Sequence, residues 1–599
     1  MILAKMIATE DQAGIRDCLN KVLASASFAQ SKRRADLLRY LAEQSLAGKG
    51  ESITEYGIAI DVFGKPASFD PQKESTIRAE MSRLRRSLAE YYDADGASDA
   101  WRFEAAARGY AIAVESNRPA AKPTPRRVPW WTSTIPAALV LGWGVWSAMK
   151  EMPAPAVRAV VVLPFANLTG DAARDYLADG VTENLTDALA HVPGLRVVAR
   201  TSAFQFKGKA GDVREIGKKV DADTVVEGSI QKMDDRLRVT VQVNRAADGY
   251  HILSRHFDGT AAELPRMEHE VALQLLASVR PGVTPAQGRT PSPEAYDLLL
   301  QARAYSGYGT KDAFNKIVTL VNEAIARDPE YADAWAALAS VYAGGATGPG
   351  AGPDAASKVK AAAARAIELD PSNARAYAAE GYADAMLQLD WNRGEDELRN
   401  AAKLMPESST IHQWLGLVLM SRAKFAEALT ELRLSENLDP LSPAVAASVG
   451  VAYFMARDYD RALEKLNSVA RLHPNMAVVH LLLGETWLAK GDYGKAEAEY
   501  LAAQTALPNE SKTGLALVRA LTGKTAEAKR MAAELENDKQ DPLSIAVIWA
   551  DAGEMDKAFA ALERAWDQHL LWTLKVHPLL DPVRRDARYN GLLKRAGLR

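Results

Sequence analysis

Residues 440–473 read PLSPAVAASVGVAYFMARDYDRALEKLNSVARLH. The stretch opens on Pro440 and stops just before Pro474. Proline recurs at Pro371, Pro406, Pro440, Pro474, Pro508 and Pro542, first after 35 residues and then four times after 34. Gly416, Gly450 and Gly484 keep the 34-residue interval, and so do Ala428, Ala462 and Ala496. Such a unit predicts two helices that cross where glycine and alanine leave room, with proline where the second helix ends. An earlier unit ends at Pro329, 42 residues before Pro371. The excess is the Gly/Pro insertion AGGATGPGAGPDA at 343–355. The unit near Pro542–Trp566 is weaker and is expected to cap the array.

This is the tetratricopeptide period. It predicts an α-solenoid of tetratricopeptide repeats over 290–599, and the tail HPLLDPVRRDARYNGLLKRAGL resembles the usual closing segment of such proteins. A repeat array offers a concave groove for a peptide or partner domain. His412, Gln413 and His480, on the first helix of their repeats, are the exposed polar candidates for that groove. Each also reads as an ordinary surface residue.

Upstream, residues 157–285 alternate strand and helix signals. VVVLPF (160–165) and LRVVAR read as strands, and DYLADGVTENLTDALAHV as an amphipathic helix. TVVEGSIQKM and RLRVTVQVNRA read as strands joined at Asp234–Asp235. The string VVLPFANLTGDAARDYLADGVTENLTDAL…LRVVARTSAFQFKGK…VEGSI resembles the TolB-like domain of regulators that carry tetratricopeptide repeats. The resemblance implies an α/β fold. Asp171, Asp175, Asp179 and Glu183 recur every four residues and are expected to form a solvated acidic face, not a metal or acid/base site. Asn167-Leu-Thr169 is a chance sequon.

Residues 128–149, VPWWTSTIPAALVLGWGVWSAM, carry no charged side chain. Twenty-two residues make a helix of about 33 Å, close to the ~30 Å hydrocarbon core. Trp130, Trp131, Trp143 and Trp146 lie near its ends. Arg118, Lys122, Arg126 and Arg127 precede it, and Lys150 and Arg158 follow. The pattern predicts a single-pass inner-membrane protein with a cytoplasmic N-terminus and a periplasmic C-terminus. Linkers are expected at 117–127 and 150–156.

Residues 1–116 show three helical patterns and two short strands. Arg34–Leu46 is apolar through Leu37, Leu38, Leu41 and Leu46. Thr54 caps a short helix ended by Gly64 and Pro66. STIRAEMSRLRRSLAEYY, from Ser75, has a core stripe of Ile77, Met81, Leu84 and Leu88. Ser75, Ala79, Ser82, Arg83 and Arg86 point away from it, with Arg78 and Arg85 on the flank. Small residues let a helix seat in a major groove, and arginines reach guanine edges or phosphates. Arg108 falls at the tip of the hairpin WRFEAAARGYAIAV.

That helix and hairpin look like the recognition helix and wing of OmpR/PhoB-type winged-helix regulators. LLRYLAEQSLAGKGESITEYGIAIDVFGKPASFDPQKESTIRAEMSRLRRSLAEYY is similar to the N-terminal domains of CadC-like membrane-anchored transcriptional regulators. The resemblance matches Arg83 and Arg85 to positions that contact DNA; Thr76, Arg78, Ser82 and Arg86 on the same helix and Arg108 in the wing complete the expected DNA-binding set. The wing is shortened from RGxGYxF to RGYAIA, which weakens the role of Arg108.

The whole reads as a multidomain α+β chain: winged helix-turn-helix, one transmembrane helix, TolB-like α/β domain and repeat solenoid. The 599 residues fit three to five domains. Net charge is −3, with 48% apolar and 25% charged residues, which excludes a disordered or polytopic membrane chain. Residues 1–127 carry 20 Lys/Arg and 17 Asp/Glu. The single cysteine, Cys18, excludes a disulfide framework or a cysteine metal cage. No catalytic residue, metal ligand or cofactor is expected, and the chain is not expected to be an enzyme. The expected function is a one-component transcriptional regulator, with double-stranded DNA, a membrane and a groove-bound protein or peptide as partners, and a homodimer as its DNA-bound form. The alternatives are an envelope repeat scaffold without DNA binding, or an adenylate-cyclase-related signalling protein.

Overall fold

In the computed structural model the described residues are 9–29, 31–46, 53–65, 76–93, 95–96, 99–105, 110, 112–116, 158–209, 211–284, 289–306, 310–345, 354–537, 541–568 and 570–599. The chain divides into two units, Met1–Met149 and Lys150–Arg599.

In the first unit, helices Thr9–Ala24, Lys32–Leu46, Glu55–Asp61 and Thr76–Asp93 precede an antiparallel ribbon of β1 (Trp101–Ala105) and β2 (Ile112–Ser116). The 3.6-residue period puts Ile77, Met81, Leu84 and Leu88 into one core with Leu37, Leu38 and Leu41. Alternation along β1 buries Trp101, Phe103 and Ala105 and exposes Arg102 and Glu104. Thr54 Oγ1 accepts the Gly57 N–H at 3.1 Å and caps Glu55–Asp61. Tyr91 donates to Asp99 at 2.6 Å, and Lys21 pairs with the same carboxylate.

The second unit begins with a mixed sheet in the order β5-β3-β6-β7-β8, with β4 on β6. β3 (Ala159–Val162) lies parallel to β5 (Arg196–Val197) and β6 (Thr224–Met233). β4 (Ala166–Leu168) is also parallel to β6. β7 (Arg236–Arg245) and β8 (His251–Gly259) continue antiparallel. Both faces are covered, so β3 is apolar throughout. Val160 and Val162 belong to the core that also takes helices Asp175–Ala190 and Leu264–Val279, while Ala159 and Val161 belong to a second one with helix Val213–Val220.

From Pro293 to Asp567 the described chain runs in helix pairs, such as Ser409–Ser421 with Phe425–Leu438 and Pro443–Met455 with Tyr459–Leu472. The periodic glycines mark their crossings. A Cβ on Gly416 would lie 2.6 Å from Leu432, on Gly450 2.7 Å from Leu466, and on Gly484 2.6 Å from Tyr500. Ala428, Ala462 and Ala496 are fully buried beside them. The tail turns back on the array. Trp391 Nε1 donates to the Ala596 carbonyl at 2.6 Å, and Arg457 pairs with Asp581 at 2.6 Å.

The α/β layer and the array share one core. Helix Asp175–Ala190 meets helix Pro293–Ala304 so closely that a Cβ on Gly180 would sit 2.6 Å from Leu300. Farther along, the Ala199 N–H donates to the Leu438 carbonyl at 2.7 Å, and Ser202 Oγ donates to Asp439 at 2.5 Å. Arg196 donates to the Asn437 carbonyl at 2.7 Å.

The expected fold class needs correction. The described chain is mostly a helical repeat solenoid, and no helix among the described residues is long and apolar enough to cross a membrane. The physical reason is length and charge: the apolar repeat helices are short, as in the uncharged 13-residue Pro443–Met455, well under the ~20 residues that a span needs. Even the 18-residue Thr76–Asp93 carries Arg78, Glu80, Arg83, Arg85, Arg86, Glu90 and Asp93. The segment 128–149 lies outside the described residues.

Gly394→Ala tests the close crossings. Its Cβ would lie 2.6 Å from the Gly381 carbonyl and 2.8 Å from the Ala385 nitrogen, neither of which can rotate away. We expect a loss of roughly 1–3 kcal/mol, as for overpacked cores, read as a lower unfolding midpoint. An unchanged midpoint would show that the pair can separate freely.

Candidate functional site

On helix Thr76–Asp93 the core stripe leaves Ser82, Arg83 and Arg86 exposed and Arg85 half-buried. Arg83 Nη1 donates to Glu80 at 2.5 Å, so it is tethered along its own helix. Thr76 and Arg78 lie on this helix, but their side chains fall outside the described set, as do Ser75, Ala79 and Arg108. The structure therefore brings together Ser82, Arg83, Arg85 and Arg86, directly before the β1–β2 ribbon.

The acidic series after β3 is engaged, not simply solvated. Asp171 accepts the Ala173 N–H at 3.0 Å, and Asp175 accepts from Asn167 at 2.6 Å. Asp179 pairs with Lys207 at 2.7 Å. Glu183 pairs with Arg200 at 3.1 Å and Arg303 at 3.6 Å. Each carboxylate has its own partner, so the series does not converge. Among the described residues no group of three or more His, Cys, Asp or Glu is placed to hold a metal ion. A cavity of about 490 Å³ opens beside Asp179 and Lys207, past the end of β3.

The groove expectation is corrected at the histidines. His412 is 5% exposed, not a surface residue. It bonds Glu431 at 2.6 Å and the Pro406 carbonyl at 2.8 Å. His480 repeats the arrangement with Glu499 at 2.7 Å and the Pro474 carbonyl. The histidine ties the two helices of its repeat and the preceding turn together. Burial pulls the His412 imidazole down, but Glu431 and the Pro406 carbonyl outweigh it and raise its pKa. Gln413 Nε2 reaches across to Ser448 at 3.0 Å, between repeats.

A polar network at the junction of the α/β layer and the first repeats has no local sequence signature. Asn184 Nδ2 donates to Glu268 at 2.9 Å and lies 2.9 Å from the Tyr296 hydroxyl. Arg303 donates to Asn184 Oδ1, and Arg375 pairs with Asp187. Glu268 Oε1 has no hydrogen-bond partner among the described residues. Burial pushes the Glu268 carboxyl up to about 7, against the lowering by Tyr296, Asn184 and Arg303.

A raised carboxyl pKa means that the folded state holds the proton more tightly than the unfolded state. The contribution is fully present below the ordinary value near 4.5 and is lost as pH rises through about 7. Glu268→Gln keeps the uncharged form. The variant should be more stable than the parent at pH 8, by on the order of 3 kcal/mol, and nearly equal to it at pH 4. Thermal melts at both pH values check this, and parallel melts for the two proteins would refute the assignment.

The 34-residue units match the family model described as tetratricopeptide repeat over residues 453–521. A curated relative, "Putative adenylate cyclase 3" of Rhizobium meliloti (strain 1021), is 29% identical over 263 residues. The match covers 41% of this chain and 43% of that protein, so the chain spans less than half of the relative's length. Among solved structures, YrrB, a TPR protein with an unusual peptide-binding site, is 21% identical over 31% of this chain and 92% of its own, with a TM-score of 0.24. Pseudomonas aeruginosa PilF is 24% identical over 36% of this chain and 93% of its own, with a TM-score of 0.28. The helix pairs, their period and the matched residues agree: the C-terminal half of this chain carries tetratricopeptide repeats.

Proposed function

We propose that the chain is a scaffold whose tetratricopeptide repeats hold a protein or peptide partner along the face formed by the first helices of successive repeats. The observation that carries this reading is the array itself, with glycine-spaced crossings that fix a continuous face. The α/β layer packs on the array through Gly180–Leu300 and Ser202–Asp439 and stiffens that platform. The relative's match covers under half its length, so cyclase activity is not proposed for this chain.

A photo-crosslinking residue in the full chain tests the scaffold. Val478 and Thr513 lie on first helices, and Glu464 and Arg530 lie exposed on second helices. We expect one common partner from positions 478 and 513 and none from 464 and 530. Equal labelling at all four positions, or none, would remove the groove reading.

A second reading is favoured by one feature: exposed Ser82, Arg83 and Arg86 on a long helix just before a two-stranded ribbon. In that reading the first unit binds double-stranded DNA, with Arg83, Arg85 and Arg86 on phosphates or guanine edges, and with Thr76, Arg78 and Arg108 beside them by resemblance. Paired copies on DNA half-sites would strengthen it. The full chain should bind a duplex with an affinity that falls steeply with salt. Arg83→Ala with Arg86→Ala should cost at least about tenfold and flatten that salt slope. An unchanged affinity would dismiss the DNA reading.

A further inference from the structure

Three successive first helices, Ala477–Lys490, Pro508–Leu521 and Pro542–Asp551, face the closing turn Pro578–Leu580 across a cavity of about 260 Å³. Its chemistry is one-sided. Glu485, Glu510 and Asp541 line it, one from each helix or its cap, and no lysine or arginine does. The one basic-type side chain in the lining, His577, is held near pKa 4, first by burial and then by Arg584. It is therefore uncharged at neutral pH.

Tyr500 gives the second, independent sign. Its ring slides between two glycines. A Cβ on Gly484 would lie 2.6 Å from it and on Gly514 2.3 Å. The residue is 2% exposed, lines the cavity, and its hydroxyl has no hydrogen-bond partner among the described residues. A buried hydroxyl is costly unless something satisfies it. Glu485 is in similar difficulty: burial, and then the charge of Asp541, push its carboxyl up to about 7. A cation brought into the cavity would relieve both groups, since it favours ionised Glu485 and donates to Tyr500 Oη. Leu481 and Leu517 supply apolar walls on which an aliphatic stem can lie.

We propose that this cavity takes the arginine side chain of an extended partner peptide, with the guanidinium between Glu485 and Asp541 and against Tyr500 Oη. A planar fork of five donors suits two carboxylates and a hydroxyl better than a compact ammonium does. The proposal rests on the scaffold reading and names the chemistry of what the groove holds.

The test titrates the full-length chain with two labelled peptides, acetyl-Ala-Gly-Arg-Gly-Ala-amide and its citrulline twin, followed by fluorescence anisotropy. We expect the arginine peptide to bind at least about tenfold more tightly than the citrulline peptide, as charge-assisted hydrogen bonds imply. Glu485→Gln should abolish most of that preference. Tyr500→Phe should weaken it severalfold while leaving the unfolding midpoint in place. Glu464→Gln, on an exposed second helix, should change nothing. Equal binding of the two peptides, no binding of either, or an arginine preference that survives Glu485→Gln would overturn the proposal. Crosslinking of a partner from positions 478 and 513 that persists in Glu485→Gln would leave the scaffold standing without this site. Loss of crosslinking in the parent itself would remove the scaffold.

Discussion

The contact on which the second unit depends is the close seating of a large side chain of one helix against a glycine of its partner. Gly416 against Leu432, Gly450 against Leu466 and Gly484 against Tyr500 each leave less than 3 Å for a side-chain carbon. Packing at that distance fixes the angle between paired helices, and hence the pitch at which pairs stack. The rest of the array inherits that pitch: the face presented by the first helices, the buried histidine ties and the cavity beside Tyr500. A methyl group at one crossing would therefore be felt beyond its own repeat.

Much of this was readable from the chain. Proline, glycine and alanine at a 34-residue interval are local signals, because each residue type solves a local steric problem. The turns were less legible. Leu389, Ala423, Arg457 and Gly491 all hold left-handed backbone, with φ of 58°, 66°, 65° and 85°, yet only the last is a glycine. Repeat packing overrides residue preference there, so the turn cannot be found by searching for glycine. His412 shows the same limit from the other side. A polar residue on a helix reads as exposed until its partner Glu431, on the next helix, is placed against it.

The joints between parts left no trace in the sequence. Ser202 and Asp439 lie 237 residues apart, and no spacing rule connects them. The Asn184, Glu268, Tyr296 and Arg303 network likewise draws on three separate helices. The acidic series from Asp171 to Glu183 looked solvated because its cations, Lys207, Arg200 and Arg303, arrive from other elements. In the first unit, by contrast, the apolar stripe of helix Thr76–Asp93 and the alternation of β1 were visible directly, since both periods are short. The segment 128–149, read as a membrane crossing, lies outside the described residues, and no described helix is long and apolar enough to cross a membrane.

Trp391 and Ala596 meet across 205 residues through a single indole hydrogen bond at the base of the returning tail. Solenoids ordinarily need only their neighbours, so each repeat can settle as soon as it leaves the ribosome. Here Trp391, which opens the second helix of its pair, is made some 205 residues before the Ala596 carbonyl that its indole meets. That contact thus forms only once the tail has been made, a timing that the order of the repeats alone would not impose.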